Sequence, residues 1–231
     1  MNLIYYAFCV ETKPRSADIV DRFGFQIDKI VSSIESLRRH NSTIPVYVFH
    51  YGQLTEMDEK RLKSLSISLK PMESHYEWFS RNVPVGGHAL ADCPSLTRWI
   101  ALDSLKDIDA NQVLYIDTDT MFFDDPELIF REYIECDFYA REEPKSQKST
   151  LEYEPSYLNE NLLTQTAKSQ GGEQIEPFNN GVILMNHRLH QKIFSVRPQI
   201  WSNILSATLW KHQNNNDDPQ LSENERQFIQ Q

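Results

Sequence analysis

No stretch of this chain approaches the roughly 18 apolar residues that a membrane-crossing helix needs. The N-terminus carries no basic leader region and no small-residue cleavage site. No dense run of Lys or Arg occurs, and the formal net charge is −10 over 231 residues. Nucleic acid is therefore not an expected partner, because nucleic-acid binders present a basic face. Cysteine is scarce: Cys9, Cys93 and Cys136 form no CxxC pair, and their odd number argues against a disulfide framework. Reduced thiols and a cytoplasmic location are expected, with peripheral membrane contact left open. The phosphate-cradling Walker A loop, the GxGxxG turn and the GxSxG nucleophile elbow are all missing. No internal repeat is visible.

What is present reads as a globular α/β chain. Hydrophobic residues make up 40% and aromatic residues 11%, and the length suffices for one α/β domain with a full core. Leu3 to Val10 reads as an opening strand. Val20, Phe23, Ile27, Ile30, Val31, Ile34 and Leu37 then recur at helical spacing. Val46 to Phe49 is a second strand, and Thr55-x-x-Asp58 opens a short helix in the manner of a capping box. Ile67 to Leu69 suggests a third strand. Ser95 is a candidate N-cap for a helix carrying Leu96, Trp99, Ile100, Leu102 and Leu105. Strands are also expected at 113–116, 138–140 and 182–185, with Asp125-Pro126 starting a helix between the first two. Such alternation implies βαβ units and a largely parallel sheet. The polar tract 141–177, with Gly171-Gly172, reads as a mobile loop beside a site. A last helix begins at Ser222 and reaches Gln231 without a C-terminal cap. That pattern is expected of a single domain, 1–231, that is truncated at its C-terminus.

The chemistry-bearing feature is Val113-Leu114-Tyr115-Ile116-Asp117-Thr118-Asp119-Thr120. An apolar strand ends in two carboxylates spaced i, i+2, which strand geometry would aim the same way. Like charges on one face repel unless a cation lies between them. Carboxylates suit hard divalent ions such as Mn²⁺ or Mg²⁺, and an acidic protein needs such an ion, or a few placed Arg or Lys residues, to hold an anionic ligand. The plainer reading is a strand-end turn in which aspartates cap backbone amides. The apolar Met121-Phe122-Phe123 and the following Asp124-Asp125-Pro126 favour the functional one.

This segment resembles the DxD region of GT-A glycosyltransferases, and within them family 8, which includes glycogenin and bacterial lipopolysaccharide galactosyl- and glucosyltransferases. Three further places agree. Leu96-Thr97-Arg98-Trp99 resembles the helix whose arginine contacts the donor. Phe178-Asn179-Asn180-Gly181-Val182-Ile183-Leu184-Met185-Asn186 resembles the family's F-N-(A/S)-G-V-x-L-(I/M)-N. Asn224-Glu225-Arg226-Gln227-Phe228 lies where the family has D-Q-x-x-(L/F). The resemblance implies a GT-A, Rossmann-like αβα sandwich. It implies metal-dependent, retaining transfer of a hexose from a nucleotide-diphosphate sugar, expected to be UDP-linked, to a sugar, glycan or protein acceptor. It implies Asp117 and Asp119 as Mn²⁺ or Mg²⁺ ligands. Arg98, Thr118, Asn179, Asn180 and Gly181 would then meet the donor, together with Thr12 and its neighbours Val10 and Glu11. Asn224 and Glu225 would stand at the catalytic position.

The chain departs from the pattern in two places. Asn224-Glu225 replaces Asp-Gln, and Ser222-x-x-Glu225 is a capping box in its own right. The family's third metal ligand, a histidine in an H-x-x-G segment, has no counterpart before Gln231, although His187, His190 and His212 occur. Trp78, Phe79 and His88 suit an acceptor-side wall, or simple packing. Two other readings stay open. One is a haloacid-dehalogenase-type phosphatase with Asp117 as nucleophile and Asp119 as general acid and base. Its motif normally opens the fold, and here over a hundred residues precede it. The other is a non-catalytic domain that binds a nucleotide sugar.

Overall fold

A computed structural model describes residues 1–10, 17–74, 97–105, 108–142, 168 and 178–189. The chain divides into two compact units. The first comprises Met1–Tyr76, Cys93–Ala140 and Asn180–Phe194, and the second Glu77–Asp92, Arg141–Asn179 and Ser195–Gln231. Nearly all described residues belong to the first.

The first strand, β1 (Asn2–Cys9), is apolar at consecutive positions rather than alternate ones, and it is buried on both faces from Leu3 to Cys9. This is how a central strand of a parallel sheet reads. It leads to α1 (Ala17–His40), then β2 (Val46–Tyr51), α2 (Glu56–Lys63) and β3 (Ser68–Pro71). After α3 (Thr97–Ser104) come β4 (Gln112–Ile116), α4 (Glu127–Glu132), β5 (Phe138–Glu142) and β6 (Phe178–Asn186). The six strands form one sheet in the order β3-β2-β1-β4-β6-β5. β1 pairs in parallel with β2 and β4, β2 pairs in parallel with β3, and β4 pairs antiparallel with β6. The α/β architecture with a mostly parallel central sheet is thus as the sequence implied. Strand order reverses between β1 and β4, the place where open α/β sheets receive ligands.

Alternation along β1 assigns a helix to each face. Ile4, Tyr6 and Phe8 share a core cluster with Ile30, Ile34 and Leu37 of α1 and with Leu114 and Ile116 of β4. The hydroxyls of Tyr6 and Ser33 share a buried hydrogen bond of 2.9 Å across that contact. On the other face, the Tyr5 hydroxyl donates to the Arg98 carbonyl of α3 at 3.4 Å, and Cys9 Sγ and Thr97 Oγ1 lie 3.1 Å apart. Helix, sheet and helix therefore stack as layers. Each fully buried Ile or Leu of α1 contributes about 2 kcal/mol through surface removed from water. This packing holds the helix in place more than intrinsic propensity does.

The helix ends follow local chemistry. Thr55 caps α2 by accepting from the Asp58 N–H at 3.1 Å. The expected reciprocal bond is replaced: the Thr55 hydroxyl donates to Asp58 Oδ2 at 2.6 Å. Asp125 Oδ1 accepts from the Glu127 N–H at 3.0 Å, with Pro126 at the N-cap of α4. The Asn41 amide, and then that N–H, hold the Asp125 carboxyl below its ordinary range. The third strand lies slightly later than 67–69 and ends at Pro71 on the sheet edge, where a missing N–H does no harm. Neither Cys9 nor Cys136 forms a disulfide. No helix among the described residues is long and apolar enough to cross a membrane. The tract 143–167, the N-cap at Ser95 and the last helix expected from Ser222 lie outside the described residues.

Candidate active site

The carboxyl ends of β1 and β4 meet at the sheet's reversal point, and Asp117 follows directly on β4. The strand stops at Ile116. The Thr120 N–H bonds back to the Asp117 carbonyl at 3.1 Å, which turns the chain through Thr118 and Asp119. The expectation that the two aspartates point the same way therefore fails, because the period of two ends with the strand. Asp117 continues on the face of Tyr115 and lies 3.4 Å from Arg98 Nη2 of α3. Asp119 turns toward α1, where Lys29 Nζ lies 3.3 Å from its Oδ2. Each carboxylate thus meets a cation of the protein, and the helices that supply them cover opposite faces of the sheet.

Asp117 is held from several directions. Its N–H donates to the Gly181 carbonyl at 2.7 Å. Its Oδ1 accepts the Tyr115 hydroxyl as well as facing Arg98. The Arg98 guanidinium stands 4.8 Å from the centre of the Tyr115 ring, a cation–π contact. Tyr5 packs against Tyr115 with ring centroids 5.2 Å apart. Burial pushes the Tyr115 phenol well above its ordinary range, with Arg98 pulling the other way. The phenol therefore keeps its proton at neutral pH and donates. Arg98 is 11% exposed and Asp117 33%, whereas Asp119 is 60% exposed. The first carboxylate sits in a partly desolvated pocket of donors, and the second faces water.

Gly181 comes to this edge because β6 runs antiparallel to β4, with Val182 opposite Ile116. Asn179 and Asn180, expected just ahead of the strand, lie within it. Thr118 occupies the turn itself, half-buried. Val10, at the end of β1, donates its N–H to Tyr51. His187 is at the wrong end of the sheet to serve as a third ligand. Its N–H bonds to the Asn111 carbonyl, ahead of the first residue of β4, so the length of that strand, ~16 Å, separates it from Asp117. Thr12, Glu11, His190, His212, Asn224, Glu225, Trp78, Phe79 and His88 lie outside the described residues. Lys29, Tyr115 and Tyr5 were not singled out by sequence reasoning. Lys29 reads there as an ordinary solvated helix residue. The two tyrosines put polar tips into largely apolar strands, a weak signal that Tyr6 shares.

Among the described residues, no three His, Cys, Asp or Glu side chains converge as a closed metal cage. Two carboxylates at a sheet edge still fit a hard divalent ion that completes its shell with water and phosphate oxygens, the habit of Mg²⁺. An open depression of about 470 Å³ lies farther along the same edge, at the ends of β2 and β3, bordered by His50, Gln53, Leu54 and Glu73.

No protein-family model and no curated protein matches the sequence. Solved structures do resemble it. Mouse xyloside xylosyltransferase 1 matches at 11% identity over 100% of this chain and 74% of its own, with a TM-score of 0.49. The galactosyltransferase LgtC, solved with donor and acceptor sugar analogues, matches at 16% identity over 100% of this chain and 69% of its own, again with a TM-score of 0.49. Core-mannan synthase A of Aspergillus fumigatus, in a Mn/GDP form, matches at 12% identity over 87% of this chain and 65% of its own, with a TM-score of 0.44. Similarity at this level carries no inference about activity, which rests on the chain's own residues.

Proposed function

We propose that the chain is a glycosyltransferase that moves a hexose from a nucleotide-diphosphate sugar, UDP-linked in the first instance, to a hydroxyl acceptor. The observation that carries the reading is the pairing of Asp117 and Asp119 at the reversal point of the sheet with Arg98 in contact. Hard anionic ligands and a planar cationic fork are the groups a metal-bound diphosphate needs. The resemblance of 113–120 and 178–186 to family 8 sequences supports the same reading.

In this reading Asp117 and Asp119 hold a Mn²⁺ or Mg²⁺ ion. When bound, the ion neutralises charge that gathers on the departing diphosphate. Arg98 binds and orients the donor's diphosphate or sugar. Thr118 and the chain after β1, including Thr12, contact the nucleotide. Asn179 and Asn180 offer amide donors and acceptors to sugar hydroxyls, and Gly181 permits close backbone approach. Asn224 would orient the sugar, and Glu225 would favour an oxocarbenium-like state electrostatically. Anomeric configuration is retained, with the leaving phosphate accepting the proton of the attacking hydroxyl.

The test is the melting temperature with UDP, GDP and ADP, each with and without Mn²⁺. A ligand at a hundredfold excess over Kd stabilises the folded state by about 2.7 kcal/mol, about 5–10 °C in a chain of this size. A Mn²⁺-dependent rise with one nucleotide is expected. No rise with any nucleotide, together with phosphate release from p-nitrophenyl phosphate, would transfer the site to phosphatase chemistry.

A further inference from the structure

The two oxygens of Asp117 are not equivalent. Oδ1 accepts the Tyr115 hydroxyl and faces Arg98 Nη2 at 3.4 Å. Oδ2 has no hydrogen-bond or ion-pair partner among the described residues. Asp119 repeats the asymmetry, since Lys29 engages Oδ2 and leaves Oδ1 without one. A carboxylate with one oxygen saturated by protein donors offers a single lone-pair face to a cation. Small ions such as Mg²⁺, and Mn²⁺ in the same role, accept single carboxylate oxygens in a tight octahedral shell. Ca²⁺ takes 6–8 oxygens and commonly uses both oxygens of a carboxylate.

We propose that Tyr115 is a positioning residue that occupies Oδ1 of Asp117, leaves Oδ2 as the only ligating oxygen, and so biases the site toward Mn²⁺ and Mg²⁺ over Ca²⁺. The inference rests on the reading of Asp117 as a metal ligand. Three features of the fold support it. The phenol is fixed by its strand, because Tyr115 lies within β4 and pairs in register with Tyr5 of β1. Its ring packs against Tyr5, with centroids 5.2 Å apart, and has the Arg98 guanidinium 4.8 Å from its centre, contacts that restrict its rotation. The carboxylate it meets is anchored two residues along the same chain by a main-chain bond to Gly181. Donor and acceptor are therefore both held by the sheet before any ion arrives. Partners of this kind, which orient a ligand without touching the metal, are typically worth 10–100-fold in metal affinity.

The experiment titrates Mn²⁺ into the full chain and follows the free-ion signal by electron paramagnetic resonance, with Ca²⁺ and Mg²⁺ as competitors. Wild type, Tyr115→Phe and Asp119→Ala are compared. Tyr115→Phe keeps the ring contacts and removes only the hydroxyl. It is expected to weaken Mn²⁺ about 10-fold and to narrow the Mn²⁺/Ca²⁺ affinity ratio, while its melting temperature stays near wild type. Arg98→Lys serves as a second variant should Tyr115→Phe fold poorly. It keeps the charge but loses the fixed approach to Oδ1, and a narrowed ratio is again expected. Unchanged Mn²⁺ affinity and an unchanged ratio in Tyr115→Phe would overturn the positioning role while leaving the metal site intact. Absence of Mn²⁺ binding in wild type, equal to that in Asp119→Ala, would overturn the metal site and the positioning role with it.

Discussion

Arg98 touches both the ring of Tyr115, at 4.8 Å, and the carboxylate of Asp117, at 3.4 Å, so one guanidinium ties strand β4 to the turn that follows it. Arg98→Ala removes both contacts from a mostly buried position. A desolvated cation–π contact alone is worth up to about 2 kcal/mol. A loss of about 1–2 kcal/mol is expected in urea unfolding, together with loss of nucleotide affinity. Arg98→Lys should recover less than half of the stability, because an ammonium lacks the planar face and fork. Full recovery by lysine would mean that charge alone matters.

Asp119 and Lys29 form an exposed pair, so neither should matter much to folding. Such pairs contribute about 0–1 kcal/mol. Asp119→Ala is expected to melt within about 2 °C of wild type and yet to lose Mn²⁺-dependent nucleotide binding. Lys29→Ala should bind Mn²⁺ alone several-fold more tightly, because a like charge has left the vicinity of the ligand. Calorimetric titration of the two variants checks both signs, and UDP affinity that stays Mn²⁺-dependent in Asp119→Ala would remove that residue from the metal site.

Ser36 joins α1 to the segment after the acidic turn. Its hydroxyl donates to the Ser33 carbonyl at 2.6 Å and accepts the Phe122 N–H at 2.9 Å. Ser36→Ala strands that N–H, at a cost of about 1–3 kcal/mol. Faster hydrogen exchange at Phe122, with little change at the centre of β1, is the expected signature.

Gly52 has φ +96°, and a Cβ there would sit 2.3 Å from the Val10 carbonyl oxygen. Neither strain nor overlap can be relieved by a side-chain rotation. Gly52→Ala should therefore destabilise by about 1–3 kcal/mol, read as a lowered urea midpoint with an unchanged slope. A neutral result would show that the end of β2 can shift away from β1.

The strands and the long helix were legible because burial writes its period directly into the sequence. β1 is buried and mostly apolar at every position from Leu3 to Cys9, and α1 is apolar every third or fourth. The site was legible in part. The carboxylates announced themselves, and Arg98 came through the family resemblance. Their directions did not, because strand periodicity predicts side-chain facing only as far as Ile116, and the turn through Thr118 sends Asp119 to Lys29. Asn179-Asn180 reads as a turn from residue type, yet it lies within β6, ahead of the residues that pair with β4. Nothing in 178–186 indicated that the strand runs antiparallel, and that direction is what brings Gly181, rather than Asn186, beside Asp117.

The link between Asp117 and Gly181 joins main chain to main chain, and this has an evolutionary consequence. No substitution at residues 179 or 180 can delete it, and at position 117 only proline could. In the proposed glycosyltransferase reading, residues 179 and 180 are therefore free to change toward side chains that suit a different donor without displacing the acidic turn. A lineage could change what it recognises at this edge while inheriting the place where recognition happens.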